Sequence, residues 1–145
     1  MTGKDDIKQR VFRHIESQRD EIVGTISELV RIPSLTGQEA EAQKYMRHLY
    51  SELGLKVTSR EADYDKISRH KAYVKSEFDY RGRPNIVGIM EGEASARSLI
   101  LNGHIDVVSP EPVAEWEFSP WEGKVAGNRL YGRGACDMKA GLMAS

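Results

Sequence analysis

The chain has 145 residues, of which 30% are charged and 39% hydrophobic, and its formal net charge is −1. This composition fits one modest globular domain, and the near-zero charge disfavours an electrostatic grip on nucleic acid or on an anionic membrane. No apolar run is long enough to cross a bilayer, and the polar segment 1–10 lacks the apolar core of a signal peptide. A single cysteine, Cys136, excludes an internal disulfide framework. We therefore expect a cytoplasmic protein without nucleic-acid or membrane partners.

The first predicted element is helical. Apolar residues recur at helical spacing through Ile7, Val11 and Ile15, and the pattern continues to Val30. Pro33 should end it, because the residue before a proline avoids helical angles.

A second helix is predicted directly after this proline. Thr36 and Glu39 have the spacing of a capping box, in which each side chain satisfies a free backbone N–H at a helix start. One apolar face then extends from Ala42 to Leu53. Gly54 suits the left-handed position that follows a helix end.

Short strands are predicted in the middle of the chain. Leu55–Thr58 can form one, and Asn85–Met90 and Ser98–Leu101 are compact apolar runs joined by a turn over 91–97. The polar segment 61–84 has no clean period, so we expect an irregular loop there. Apolar strands that follow helices favour an α/β domain with a mixed sheet flanked by helices and covered on both faces.

The last third of the chain is rich in glycine and carries most of the candidate chemistry. Lys124–Tyr131 predicts a hairpin that turns at Gly127-Asn128. Asp137–Ser145 predicts the start of a helix. Functional groups tend to lie on loops held by rigid elements, so a site is expected in this region.

A histidine and an aspartate follow the last predicted middle strand, in Asn102-Gly-His-Ile-Asp-Val-Val108. In an extended chain His104 and Asp106 would point to the same side, about 7 Å apart. A metal-binding histidine usually donates its other ring N–H to a carboxylate or carbonyl, which fixes the tautomer. Asp106 is placed to do this for His104. A His-x-Asp triplet alone, however, more often marks an ordinary polar residue.

A second motif is Gly132-Arg-Gly-Ala-Cys-Asp-Met-Lys-Ala-Gly141. Its glycines allow tight turns and close approach of the backbone to other groups. Asp137 lies where this loop gives way to a helix start, so it could simply cap the helix. Its carboxylate could also bridge two metal ions, which lie about 3.5–4 Å apart in two-metal hydrolytic sites. For the motif in isolation, the cap is the simpler interpretation.

In combination, these motifs resemble the zinc-dependent exopeptidase and deacylase family that includes acetylornithine deacetylase, succinyl-diaminopimelate desuccinylase, aminoacylase and carboxypeptidase G. The resemblance begins at about Ile22 and continues to the end of the chain, and it includes Glu28-Leu-Val-Arg-Ile-Pro-Ser34. The His104 and Asp137 motifs together are highly specific for this family. The implied fold is the N-terminal part of a zinc-exopeptidase-like catalytic domain.

The resemblance also implies roles for the site residues. His104 would be a ligand of one zinc ion, Asp137 would bridge two zinc ions, and Asp106 would act in catalysis by orienting His104. The loop Trp116–Trp121 would shape the mouth of the site. Zinc is the expected metal, with two ions in a complete site, although cobalt or manganese could also occupy a mixed site of histidine and carboxylate.

Neighbouring polar residues have plainer interpretations. Arg133 and Lys139 match the family motif without being ligands, and plain roles as a structural anchor and a solvated charge are at least as good an interpretation as a direct role in the site. Cys136 could offer a thiolate, which zinc favours, but the family places no ligand there. Three further histidines have no acidic partner that the sequence identifies, and we expect surface or structural roles for them: His14, His48 and His70.

Residues 1–145 are expected to form only the N-terminal portion of the metal-binding catalytic domain. A catalytic zinc ion takes three protein ligands and a water molecule, so His104 and Asp137 cannot hold two ions alone. The resemblance implies that a Glu-Glu pair containing the general base, another acid and a histidine follow downstream, with a lid or dimerisation domain. We therefore expect an incomplete chain that is inactive alone, binds zinc weakly and exposes apolar surface.

The expected function of the whole protein is hydrolysis of amide bonds in N-acyl amino acids or small peptides. A deacylase like acetylornithine deacetylase is favoured over a dipeptidase, and the full-length form could be a homodimer. The alternative is a non-catalytic α/β module that binds a partner or has a structural role. Measuring the zinc content distinguishes the hydrolase from the non-catalytic module. A full-length hydrolase should bind about two zinc ions per chain, whereas such a module should bind no zinc ion tightly.

Overall fold

The computed structural model describes residues 3–75, 77–78 and 80–145. The helices are α1 (Gly3–Ser17), α2 (Arg19–Arg31), α3 (Ala40–Glu52), α4 (Tyr64–Ile67) and α5 (Ala140–Ala144), and the strands are β1 (Lys56–Arg60), β2 (Asn85–Ile89), β3 (Lys124–Ala126) and β4 (Arg129–Tyr131). Within these described ranges, no helix has the length and apolar character needed to span a membrane.

The first helical pattern forms two helices instead of one. Gln18 separates α1 from α2 because its backbone leaves helical angles, with φ −104° and ψ 9°. At the other end of α2, Ile32 is extended with ψ 108°, as expected for a residue that precedes Pro33. Leu29 and Val30 of α2 are fully buried, so this helix belongs to the core.

The core lies between α2, α3, α5 and the segment around Ile105, and its buried members are Leu29, Ala42, Met46 and Ile105. Helix α3 also packs against β1 and β2. It approaches β2 closely at Gly88, where an added Cβ would lie 2.7 Å from the Leu55 side chain and 3.0 Å from that of Tyr50. A side chain at this strand position would therefore push the helix away from the sheet.

The strands form two antiparallel pairs, so the predicted mixed sheet is wrong for the described residues. β1 pairs with β2 in a register that runs from Lys56↔Ile89 to Arg60↔Asn85, and β3 pairs with β4. The combination of helices with these small sheets still agrees with an α/β class.

The predicted strand Ser98–Leu101 is not formed. Leu99, Ile100 and Leu101 are 81%, 86% and 60% exposed. An apolar strand is buried only where neighbouring strands and helices cover it, and no strand of the described residues pairs with this segment. The apolar composition of the run was therefore insufficient to make it a strand.

Other local predictions agree more closely with the structure. Leu55–Thr58 overlaps β1, and the hairpin Lys124–Tyr131 forms with its turn at Gly127-Asn128. The irregular segment 61–84 contains only the short helix α4, although its positions 76 and 79 lie outside the described residues. The helix predicted from Asp137 begins regularly only with α5, because Asp137 and Met138 have non-helical angles.

The C-terminal third of the chain wraps along α2. The hydroxyl of Ser27 donates to the backbone oxygen of Gly123 at 2.6 Å, and Nε of Arg31 donates to that of Glu122 at 2.9 Å. Gly134 continues this path in the left-handed region, with φ 80°. There an added Cβ would lie 2.4 Å from Cγ1 of Val107.

Gly134 should therefore tolerate a methyl group less well than Gly127, which has φ 58° and no neighbour within 4 Å of an added Cβ. We expect Gly127→Ala to lower the free energy of unfolding by about 1–2 kcal/mol, the cost of a left-handed residue that bears a Cβ. Gly134→Ala should cost about 1–3 kcal/mol more, because the methyl group also collides with Val107. Urea unfolding of both variants measures this difference, and equal losses would contradict the close contact.

Candidate metal centre

His104 lies on a segment whose side chains alternate between the core and solvent. Ile105 and Val107 are buried, at 6% and 4% exposure, whereas the side chains of His104 and Asp106 are 47% and 38% exposed. Gly103 precedes the histidine at a tight point, where an added Cβ would lie 3.0 Å from Met138 and from Leu142. The backbone therefore presents His104 and Asp106 on one side, as predicted from their spacing.

The imidazole of His104 faces the carboxylate of Asp137. Nε2 of His104 lies 3.0 Å from Oδ1 of Asp137, although the two residues are 33 positions apart in sequence. Asp137 reaches this position in an irregular turn, and its own side chain is 87% exposed. The backbone N–H of His104 also donates to Sδ of Met138 at 3.4 Å, which ties the two segments together. The two motifs that the sequence singled out therefore converge.

The other ring nitrogen of His104 faces Asp106. Nδ1 lies 2.9 Å from the backbone oxygen of Asp106 and 3.2 Å from its Oδ1. Both atoms are acceptors, so both favour a proton on Nδ1. A histidine that holds its proton there keeps the Nε2 lone pair for a metal ion.

These carboxylates also change the proton affinity of the ring. The hydrogen bond to Asp137 raises the pKa of His104 above its usual value. Burial acts in the opposite direction, while the backbone and the charge of Asp106 add to the increase. Metal binding would compete with this proton, because only the unprotonated nitrogen can act as a ligand.

Thr36 and Glu39 do not form the predicted capping box. Glu39 precedes α3 without a side-chain cap, and its Oε1 accepts from the backbone N–H of Gly37 at 2.8 Å. The Thr36 hydroxyl instead donates to Oδ2 of Asp106 at 3.0 Å. Local spacing predicted a local bond, but the carboxylate of Asp106, 70 positions away, provides the acceptor.

A largely buried ion pair stands behind this turn. Nε and Nη2 of Arg83 donate to the two carboxylate oxygens of Glu39 at 2.8 Å and 2.6 Å, and the two side chains are 20% and 7% exposed. Burial raises the pKa of Glu39, but the bonds from Arg83 and Gly37 outweigh it and hold the pKa below its usual value. The sequence did not identify this pair, because Arg83 lies in the segment predicted to be an irregular loop.

Lys139 is fully buried, so its interpretation as a solvated charge is wrong. Its Nζ donates to the backbone oxygens of Leu29 at 3.0 Å and Ile32 at 2.7 Å, at the end of α2. The same Nζ lies 6.0 Å from the centre of the Trp121 ring. Lys139 therefore ties the turn that carries Asp137 to the backbone carbonyls at the end of a core helix.

The remaining polar candidates take no part in the contact between His104 and Asp137. The guanidinium of Arg133 stands 4.9 Å from the Trp116 ring centre, and its backbone N–H donates to Pro120. Cys136 is exposed and unpaired. His14, His48 and His70 are exposed, in agreement with surface roles. His48 does have an acidic neighbour, since its Nε2 lies 3.4 Å from Glu52 one helical turn later.

The donor set of His104 and Asp137 fits part of a zinc site. Imidazole nitrogen and carboxylate oxygen are both zinc ligands, and two such ligands of one tetrahedral ion stand about 3.4 Å apart. Their observed separation of 3.0 Å is close to this distance. Across the described residues, however, no group of three or more His, Cys, Asp or Glu side chains is arranged to hold an ion. The two residues would therefore supply only part of a coordination shell.

Comparison with known proteins agrees with the two motifs. Residues 100–145, which contain His104, Asp106 and Asp137, match the family described as Peptidase family M20/M25/M40. The chain is also 31% identical over 141 residues to N-formyl-4-amino-5-aminomethyl-2-methylpyrimidine deformylase of Halalkalibacterium halodurans, which covers 94% of this chain and 29% of that protein.

Two succinyl-diaminopimelate desuccinylases are similar to the chain as well. The one from Cereibacter sphaeroides is 31% identical over 122 residues, covering 84% of this chain and 27% of the relative. The one from Methylorubrum extorquens is 33% identical over 115 residues, covering 79% and 26%. The chain belongs to Peptidase family M20/M25/M40. It spans less than a third of the length of these relatives in the family.

Within this M20/M25/M40 chain, Lys139 gives a pH-dependent test of how the Asp137 turn is anchored. Burial lowers the pKa of Lys139 to about 8, whereas an unfolded lysine has a pKa of about 10.4. The folded chain therefore binds fewer protons between these values, and the stability contributed by this group rises as the pH increases through that window.

We expect Lys139→Met to abolish this rise and to leave the carbonyls of Leu29 and Ile32 without their charged donor, a loss of about 1–3 kcal/mol. The stability difference between the original chain and the variant should be larger at about pH 10 than at about pH 7. Urea unfolding at both pH values measures it. A difference that stays constant with pH would contradict the burial of this ammonium group.

Proposed function

We propose that this chain supplies the first metal ligands of a two-zinc hydrolase that cleaves amide bonds in N-acyl amino acids or small peptides. In this proposal His104 binds one zinc ion, Asp137 bridges two, and Asp106 orients His104. The observation that carries it is the position of the His104 ring, with Nε2 at 3.0 Å from Asp137 and Nδ1 at 2.9 Å from the backbone of Asp106. Residues 1–145 would then be the N-terminal portion of the catalytic domain.

The similar proteins support the reaction class. Their names describe a deformylase and a desuccinylase, that is, the removal of a formyl or a succinyl group. We infer a deacylase for this chain, and an acetylornithine-type substrate remains our narrower proposal. Small acylated amino acids or peptides would be its partners, and a longer form could associate as a homodimer.

The chain's own residues would hold the metal ions and orient the His104 ring. When bound, two zinc ions would acidify a water molecule and polarise the amide carbonyl; cobalt or manganese could take their place. The two acceptors of Asp106 would favour a proton on Nδ1 of His104, which would leave Nε2 available to a metal ion. The exposure of Asp137 leaves its carboxylate accessible to ions and substrate from solvent.

A zinc titration of this chain tests the proposal. We expect weak binding that shifts the ring ¹⁵N signals of His104, with affinity reduced about tenfold or more in His104→Ala and in Asp137→Asn. His48→Ala is the matched control, because His48 is also an exposed histidine beside a carboxylate. Absence of any zinc effect on His104, or equal binding by His104→Ala, would rule out the metal role.

The second candidate is a non-catalytic α/β module, and one observation favours it: the described residues offer no cluster of three potential ligands. For either candidate we expect the chain to show no turnover of an N-acyl amino acid, because these residues provide too few ligands for a catalytic zinc ion. Measurable turnover that disappears in His104→Ala would contradict this expectation.

A further inference from the structure

The segment Ser34–Thr36 lies directly beside the segment that carries His104 and Asp106. Leu35 and Val107 form an isolated parallel bridge. The hydroxyl of Ser34, which is fully buried, donates to the backbone oxygen of Ile105 at 2.7 Å. The backbone N–H of Val107 donates to the oxygen of Ser34 at 2.8 Å. Two hydrogen bonds therefore hold the backbone on both sides of Asp106.

One of these bonds fixes the acceptor that the His104 ring uses. The N–H of Val107 and the C=O of Asp106 belong to the same peptide unit, which is planar. Because the N–H points at Ser34, the C=O must point the opposite way, where Nδ1 of His104 lies 2.9 Å from it. The position of Ser34 thus sets the direction of the backbone acceptor of the ring.

Thr36 fixes the second acceptor. Its hydroxyl bonds to Oδ2 of Asp106 at 3.0 Å, which leaves Oδ1 facing Nδ1 of His104 at 3.2 Å. Without this bond the half-exposed carboxylate would be free to rotate toward solvent. Threonine is suited to the task because its branched side chain has few rotamers.

The next turn holds Thr36 itself in place. The N–H of Gly37 donates to Glu39, and Arg83 binds both oxygens of the same carboxylate. The Phe78 ring lies against Gly37, where an added Cβ would come within 2.8 Å of it. The turn is therefore fixed by contacts from the segment 61–84, and Thr36 has little freedom to move away from Asp106.

We propose that Thr36 is a positioning residue: with the Ser34 carbonyl, it keeps both acceptors of Asp106 on Nδ1 of His104 and so fixes the orientation of the imidazole ring. Two carboxylates compete for the single proton of the neutral ring. Asp137 is 87% exposed, so water weakens its attraction, whereas Asp106 is 38% exposed and is held in place. Such a ring is oriented for metal binding. This inference deepens the proposed function and rests on it for the metal role of His104.

The ¹⁵N shifts of the His104 ring, measured without metal at a pH where the ring is neutral, test this directly. We expect the original chain to carry its proton on Nδ1 and Thr36→Val to move a measurable share of it to Nε2. Thr36→Ser should restore the original tautomer because it keeps the hydroxyl. Thr25→Val is the matched control, since it removes a threonine hydroxyl that donates to the backbone oxygen of Glu21 within α2.

A zinc titration of the same four proteins supplies the second measurement. Thr36→Val should bind zinc about tenfold more weakly than the original chain, the size of effect seen when a metal-binding histidine loses its orienting partner. Thr36→Ser and Thr25→Val should bind like the original. Backbone amide spectra of each variant establish that it is folded. If the valine variant is not folded, the ring tautomer of the original chain still decides, because a proton on Nε2 there would overturn the positioning role.

The outcomes separate the two proposals. If zinc shifts His104 in the original chain but Thr36→Val leaves tautomer and affinity unchanged, the positioning role is overturned. If zinc fails to affect His104 in the original chain while Thr36→Val still moves the proton, the positioning role stands and the metal role fails. A ring that carries its proton on Nε2 in the original chain overturns the positioning role outright.

Discussion

The contact between Nε2 of His104 and Oδ1 of Asp137, at 3.0 Å, is the constraint on which the rest of the site depends. Their side chains are 47% and 87% exposed, so neither is held in place by its own burial. The two side chains are brought together by their buried neighbours: Ile105 and Val107 pack into the core beside His104, and Lys139 is buried beside Asp137. Exposed reactive groups are thus positioned by buried neighbours in the sequence.

Helix α2 is the common support of both halves of the site. Lys139 donates to the backbone oxygen of Leu29 in the last turn of α2 and to that of Ile32 directly after the helix, and Leu29 belongs to the core that includes Ile105. The first half of the site is also bonded to the residues that follow this helix, through Ser34 and Thr36. A shift of α2 would therefore move both the histidine and the aspartate. The polar side chains buried here, Ser34 and Lys139, are hydrogen-bonded, which offsets the cost of removing them from water.

The apolar residues Leu99, Ile100 and Leu101 show the limit of composition as a guide to strands. Burying one such side chain contributes about 1.5–3 kcal/mol, but only when another element covers it. Within the described part of the chain these three side chains stay largely exposed, and the predicted sheet is replaced by two antiparallel pairs.

The sequence by itself determined what depends on neighbouring residues: the helix end before Pro33, the hairpin at Gly127-Asn128, and the shared side of His104 and Asp106. Spacing and turn chemistry act within a few residues, so they can be inferred without a fold. The family motifs further predicted that His104 and Asp137 would converge, but they did not predict which contacts keep the two segments in place. Only the tertiary structure assigned Thr36 to Asp106 and Lys139 to the end of α2, contacts that join residues 70 or more positions apart. Such pairings depend on which surfaces are buried together, and no local pattern in a sequence specifies that.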